Sequence, residues 1–263
     1  MNKVTLLGDS IIDNKVYVES DELSVLEHLE HLSNDEILQI ALDGATTDHV
    51  LSSQLEHVSE EDTHTVLSIG GNDLLNNISF LTQDFRYSPN RVLEQLREML
   101  LPINMNYETI VQKLTDYRAT PLLCTVYEGD LVGSDEFDSI AESARSMVSF
   151  FNDSIYRIGS RYNVDVLDLR EIFVTSEDYA NPIEPSHKGG KKFAKEIIKV
   201  SKSDLEVVFE SLPEDDPNRR RPDISLAKRV LNWSPKRTLQ DMCRDGYLWS
   251  TKNPFGYECM SVV

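Results

Sequence analysis

Val4-Thr5-Leu6-Leu7-Gly8-Asp9-Ser10 decides how this chain is read. Val4 to Leu7 is a short apolar run, rich in branched residues, that passes without a gap into residue types that serve turns. The pattern predicts a buried first strand with Ser10 at its carboxyl end, where open α/β sheets place their ligands. Two later stretches repeat it. Ile37–Leu42 ends at Asp43-Gly44-Ala45-Thr46, and Thr65–Ile69 ends at Gly70-Gly71-Asn72-Asp73. As parallel neighbours these three strands would bring Ser10, Gly44 and Asn72 to one rim. That trio supplies a hydroxyl nucleophile, a glycine N–H that a carbonyl oxygen can approach closely, and an amide donor for a developing oxyanion. Taken singly, the glycines read as turn residues and Asn72 as a helix cap. Their order sets them apart.

Downstream, helical periodicity alternates with strand patterns. Val92–Tyr117 carries Leu93, Leu96, Leu100, Ile103, Ile110 and Leu114 at helical spacing, with Pro102 predicting a break or kink. Pro121–Val126 reads as a fourth strand, Ile140–Ile158 as a second long amphipathic helix and Val164–Leu169 as a fifth strand. Such alternation predicts an α/β fold, a doubly wound parallel sheet covered by helices on both faces. Tyr127-Glu128-Gly129-Asp130 falls just past the fourth strand, at the same rim as Ser10, and reads as a turn or as a substrate-side loop. Asp9 and Asp73 are expected to hold their turns through local hydrogen bonds. Asp9 and Tyr127 are also carried as candidate substrate contacts.

At the three blocks the chain resembles the SGNH hydrolases, also called the GDSL esterase and lipase family, over residues 3–200. The resemblance implies a flavodoxin-like three-layer fold and a serine esterase. In it Ser10 would be the nucleophile, and the N–H groups of Ser10 and Gly44 with the Asn72 side chain would hold the oxyanion. The family closes its domain with an Asp, two residues, the catalytic His and then Pro-Ser, two residues and Gly. Here the stretch reads Asn181-Pro182-Ile183-Glu184-Pro185-Ser186-His187-Lys188-Gly189. Aligned on Pro185-Ser186 and Gly189, Glu184 takes the place of the His and Asn181 that of the Asp. Aligned instead on acid-x-x-His, Glu184 becomes the acid and His187 the base, and the Pro-Ser and Gly lose their places. The first register keeps more landmarks and is preferred. It replaces an imidazole by a carboxyl whose ordinary pKa of about 4.3 suits a base poorly unless burial raises it. In the competing arrangement Pro185 opens the last helix and His187 lies in its first turn, an i, i+3 partner of Glu184. The plainer reading makes His187 a solvated histidine. His28 and His31, also i, i+3, are expected to face solvent, and no metal site is expected.

Composition bounds the rest. A chain of 263 residues can hold one α/β domain and an appendage, and its net charge of −19 argues against nucleic acid or an anionic membrane surface as partner. No apolar run approaches the roughly 18 residues of a membrane span, and no leader-like pattern precedes the first strand. Cys124, Cys243 and Cys259 are odd in number and far apart, which fits a reducing cytoplasm. From Pro213 onward the balance shifts to 9 Lys and Arg against 7 Asp and Glu, predicting a hydrolase domain over 1–211 and an appendage over 212–263. The segment Arg220-Arg221-Pro222-Asp223-Ile224 with Leu231-Asn232-Trp233-Ser234-Pro235 resembles the carboxyl-terminal part of extended short-chain dehydrogenases acting on nucleotide sugars, UDP-glucuronate decarboxylases in particular, over 205–250. That resemblance implies a phosphate contact for Arg220. The chain lacks a glycine-rich dinucleotide fingerprint and a Tyr-x-x-x-Lys pair, so no nicotinamide or other cofactor is expected. Short helices are predicted over Ile224–Leu231 and Leu239–Trp249, capped by Ser225 or Asp223 and by Thr238. The segment could serve as a structural cap, a nucleotide-sugar site or a protein-docking element.

The sequence therefore predicts a serine esterase that cleaves a small carboxylic ester, with an O-acetyl group on a carbohydrate suggested by the tail. The alternative is a hydrolase-fold binding module whose base has been lost.

Overall fold

The computed structural model describes residues 2–82, 88–201 and 225–231. Five parallel strands form the sheet: β1 (Lys3–Gly8), β2 (Glu36–Gln39), β3 (His64–Ser68), β4 (Thr120–Cys124) and β5 (Asp165–Leu167). Their order is β2-β1-β3-β4-β5, the doubly wound arrangement whose direction of winding reverses beside β1. Parallel strands need crossovers, and those crossovers put helices on both faces, so the strands read as continuous apolar runs. Side chains of one strand alternate between two cores. Leu7 points into a layer with Leu67 and Leu123, while Val4 and Leu6 join Val66 and Leu122 on the other face.

The first face is covered by two long helices, α4 (Pro89–Thr115) and α5 (Ala141–Tyr162). The second is covered by α1 (Val25–Leu32) and α6 (His187–Ser201), which pack on each other. Between β2 and β3 lie α2 (Thr47–His49), a π turn (Val50–Gln54) and a 3₁₀ turn (Leu55–His57). A short helix, α3 (Gly71–Asn76), follows β3. The two-stranded antiparallel ribbon of β6 (Tyr179–Asn181) and β7 (Glu184–Pro185) precedes α6.

Two details depart from the sequence expectation. Helix α4 runs through Pro102 without the break that the sequence offered beside a kink, because the loss of one backbone hydrogen bond there is offset by Leu96, Leu100, Ile103 and Tyr107 buried on either side. Pro185 does not open the last helix. It sits in β7, pairing with Tyr179, and α6 starts at His187, with the Ser186 hydroxyl accepting the Gly189 N–H at 3.2 Å. Glu184 and His187 are therefore not neighbours on one helix face.

Contacts group the chain into two units, Met1–Ser203 and Asp204–Val263. In the second, the described residues form α7 (Ser225–Leu231), inside the predicted Ile224–Leu231 helix. Arg220, Asp223, Thr238, Cys243, Cys259 and the Leu239–Trp249 stretch lie outside the described residues. Cys124 is buried and unpaired.

Where β1 and β4 end, backbone groups no longer have a strand partner, and buried side-chain amides replace it. Gln54 accepts the Gly8 N–H and donates to the Gly8 carbonyl, both at 2.8 Å. Asn152 does the same for Val126, at 2.9 and 2.7 Å. A buried backbone group left unpaired costs about 1–3 kcal/mol. Gln54→Leu orphans the Gly8 N–H, while the Gly8 carbonyl keeps the Leu42 N–H at 3.1 Å, and should therefore destabilise the domain by about 1–3 kcal/mol. Urea unfolding of the two proteins measures this; a loss below about 0.5 kcal/mol would mean that the clamp is dispensable.

Candidate active site

Asp9 and Ser10 leave β1 in a tight turn in which the Asp9 carboxylate accepts the Ile11 N–H at 3.1 Å, the local role read from sequence. The turn aims Ser10 across the rim, where its hydroxyl donates to Glu184 Oε1 at 3.1 Å. Both residues are almost fully buried, at 6% exposure each. Glu184 is held by its backbone. The Asn181 side chain accepts the N–H groups of Ile183 and Glu184, each at 3.0 Å. The Tyr127 hydroxyl donates to the Ile183 carbonyl at 2.5 Å, and Asn14 donates to the Pro185 carbonyl at 3.2 Å. Asn14 also accepts the Val25 N–H at 2.8 Å, which ties the start of α1 to the same segment.

Burial pushes the Glu184 carboxyl up to about 7; the Ser10 hydrogen bond pulls against this, and the nearby Asp43 charge adds to it. Asp43 accepts the Tyr17 hydroxyl at 2.9 Å. Burial likewise raises Asp9 well above the usual carboxylate range. Asp9 Oδ2 and Glu184 Oε2 have no hydrogen-bond partner among the described residues.

The second and third blocks are stitched together. Asn72, in the first turn of α3, donates to the Ala45 carbonyl at 3.0 Å. Asp73 accepts the Thr47 N–H and hydroxyl at 2.9 and 2.7 Å, so its carboxyl ties the third block to the second where the sequence suggested a bond within its own turn. Gly44 sits next to Ala45 with φ +76°, a left-handed conformation in which the space a side chain would fill is open. Ser10, Asn72, Tyr127 and Glu184 line a cleft of about 80 Å³ whose other walls are mainly apolar, among them Ile78, Leu131, Phe137 and Met147.

The structure brings Glu184 to Ser10 and leaves His187 elsewhere. His187 Nδ1 accepts the Leu23 N–H at 3.0 Å, and the ring lies against His28, with centroids 4.6 Å apart. His28 is buried, not solvent-facing as the sequence suggested. It stands with Val25 and Leu29 on the inner face of α1, a spacing that signals burial. Sequence reading missed the supporting amides Asn14, Gln54 and Asn152, since a single Asn or Gln carries no local signal. Among the described residues no cluster of His, Cys, Asp and Glu could hold a metal, and no helix is long and apolar enough to cross a membrane.

The turn after β1, the linked second and third blocks and the shared cleft are the layout of a GDSL-type hydrolase. The family pattern of the GDSL-like lipase/acylhydrolases matches residues 6–191, and the chain belongs to that family of ester hydrolases. Its fold is that of the lipase Lip_vut3 from a goat rumen metagenome, with TM-score 0.60 and 18% identity over 78% of this chain and all of that one. An acetyl xylan esterase, AlAXEase, shares the fold with TM-score 0.54 and 18% identity over 76% of this chain and all of that one. A UDP-glucose 4-epimerase of Cyamopsis tetragonoloba is 28% identical over 103 residues, 39% of this chain and 23% of that protein. Other UDP-sugar epimerases and decarboxylases match over similarly partial stretches, which fits the second resemblance. The chain spans about a quarter or less of the length of these curated relatives.

A carboxyl raised by burial makes a signed prediction about stability. Ionisation of Glu184 costs the fold nothing below about pH 4.5, where it is protonated folded or unfolded; the cost builds as pH rises from there to its folded value of about 7 and is constant above it. Glu184→Gln, which cannot ionise, should raise Tm relative to wild type at pH 8 and by much less at pH 5. Equal shifts at the two pH values would show that Glu184 titrates as an ordinary carboxylate.

Proposed function

We propose that the protein is a serine esterase for short-acyl carboxylic esters, with Ser10 as nucleophile and Glu184 as general base. The observation that carries this is the hydrogen bond from Ser10 Oγ to a buried carboxyl with pKa near 7. A base working at neutral pH needs a pKa in that range, which burial supplies here.

In this reading Glu184 takes the Ser10 proton as Oγ attacks the ester carbonyl carbon. The resulting oxyanion is met by the N–H groups of Ser10 and Gly44 and by the Asn72 amide. Glu184 then passes the proton to the departing alcohol, leaving an acyl-Ser10 ester. Water, deprotonated by Glu184, attacks that ester, and Ser10 departs with the proton. The cleft argues for a short acyl group: at about 80 Å³ it is well below the roughly 150 Å³ of an engineered cavity that holds benzene. Acetyl is the acyl group that fits this space most simply. A carbohydrate as the alcohol is supported by the UDP-sugar enzyme likeness and by the fold shared with an acetyl xylan esterase. The competing binding-module reading rests on the missing imidazole.

The test is hydrolysis of p-nitrophenyl acetate. The reading predicts that kcat/KM rises with pH to a plateau with its midpoint near 7, where an ordinary carboxylate would give a midpoint near 4.5. Ser10→Ala should abolish turnover, Glu184→Gln should lower it by about 10²–10⁴-fold, and His187→Ala by less than about threefold. Loss in His187→Ala equal to that in Glu184→Gln would make the imidazole part of the machinery. Absence of Ser10-dependent turnover on a wide ester panel would favour the binding module.

A further inference from the structure

A second depression opens beside the cleft. Its lining is Glu128, Arg170, Glu171 and Phe173, its volume about 430 Å³, and Glu128 is common to both hollows. The two differ in chemistry. The cleft at Ser10 is walled mainly by apolar side chains, whereas the depression presents two carboxylates and a guanidinium around one aromatic edge.

Its position follows from the sheet. Ser10 follows β1, Asn72 follows β3, Glu128 follows β4, and Arg170 with Glu171 follows β5, so these residues succeed one another along one rim in the strand order β1-β3-β4-β5. Three strand spacings of about 4.8 Å separate the ends, about 14 Å in all. A group bound at both ends must be extended on that scale, well beyond one small alcohol.

The charges decide what kind of group. Asp168 takes two donors of Arg170, Nε at 2.9 Å and an Nη at 2.6 Å, which largely neutralises the cation. Glu128 meets Arg145 at 3.6 Å, while Glu171 is exposed. An anionic ligand such as a diphosphate would face these carboxylates at a cost. Neutral hydroxyls suit the site: the carboxylates accept from them, and a guanidinium with five N–H groups keeps donors beyond those given to Asp168. Phe173, buried and packed on Tyr127 with ring centroids 4.7 Å apart, closes the floor of the depression.

We infer that the depression of Glu128, Arg170, Glu171 and Phe173 is the alcohol-side subsite of the esterase and takes a neutral, polyhydroxylated chain of two or three sugar rings. The inference rests on the esterase reading and adds to it the class and size of the leaving alcohol. Glu171 and Glu128 set the preference by accepting hydroxyl hydrogens that a small alcohol does not bring to them.

The test compares kcat/KM for three acetyl esters: p-nitrophenyl acetate, a mono-O-acetylglucose and a mono-O-acetylmaltotriose. Wild type should favour the trisaccharide ester over the monosaccharide ester by about tenfold, the worth of one charge-assisted hydrogen bond. Glu171→Ala should erase that preference chiefly through KM, and Glu128→Ala should reduce it as well. Circular dichroism reports whether each variant has folded, and Glu171→Ser replaces an alanine variant that has not. Equal kcat/KM for the two sugar esters in wild type, or a fall of all three esters alike in Glu171→Ala, would overturn the subsite and leave the esterase standing. Failure of Ser10-dependent turnover with all three esters would overturn both.

Discussion

The contact between Ser10 and Glu184 joins residues 174 apart in sequence, and much of the rim is arranged to keep it dry and in place. A free carboxylate would draw water and return to its ordinary pKa. Three polar side chains prevent this by holding the backbone around Glu184 rather than its carboxyl. Asn181 takes two N–H groups, Tyr127 reaches the Ile183 carbonyl, and Asn14 reaches the Pro185 carbonyl. The carboxyl itself receives Ser10 on one oxygen and no described partner on the other. A buried acid is thereby kept able to exchange a proton near neutrality, at some cost in stability.

The parallel sheet supplies the geometry that makes the contact reachable. Every strand ends at the same rim, so a residue placed one or two positions past a strand lands beside its counterparts. Blocks widely separated in sequence become neighbours without any long-range signal in the sequence itself. The ends of strands are also where backbone pairing stops. The amide clamps of Gln54 on Gly8 and Asn152 on Val126 finish that pairing inside the protein, next to the two turns that carry Ser10 and Tyr127.

Much of this was legible. The apolar runs ending in glycine mark β1 and β3, since a strand buried on both faces leaves little else to read. The fourth block was decided by landmarks, and Gly189 shows why these hold. A Cβ there would stand 2.2 Å from the Asp178 carbonyl and 2.6 Å from the Phe173 ring, so α6 can pack in this place only with glycine at that position. A histidine has no such constraint, and His187 has turned to α1. What stayed hidden depends on tertiary contact: the passage of α4 through Pro102, the burial of His28 and the amides that carry no local pattern.

The two departures in the fourth block are best understood as one change. An imidazole has an unperturbed pKa near 6.5 and needs an acid only to orient it and to stabilise its charged form. A carboxyl reaches the same range by burial, and a second carboxylate beside it would push its pKa higher still and repel the ionised base. Where the family resemblance places an Asp, this chain has Asn181, uncharged, and its oxygen accepts two backbone N–H groups in the turn that carries Glu184. Asparagine in place of the acid is thus consistent with glutamate as the proposed base: the amide fixes Glu184 through its backbone and adds no charge.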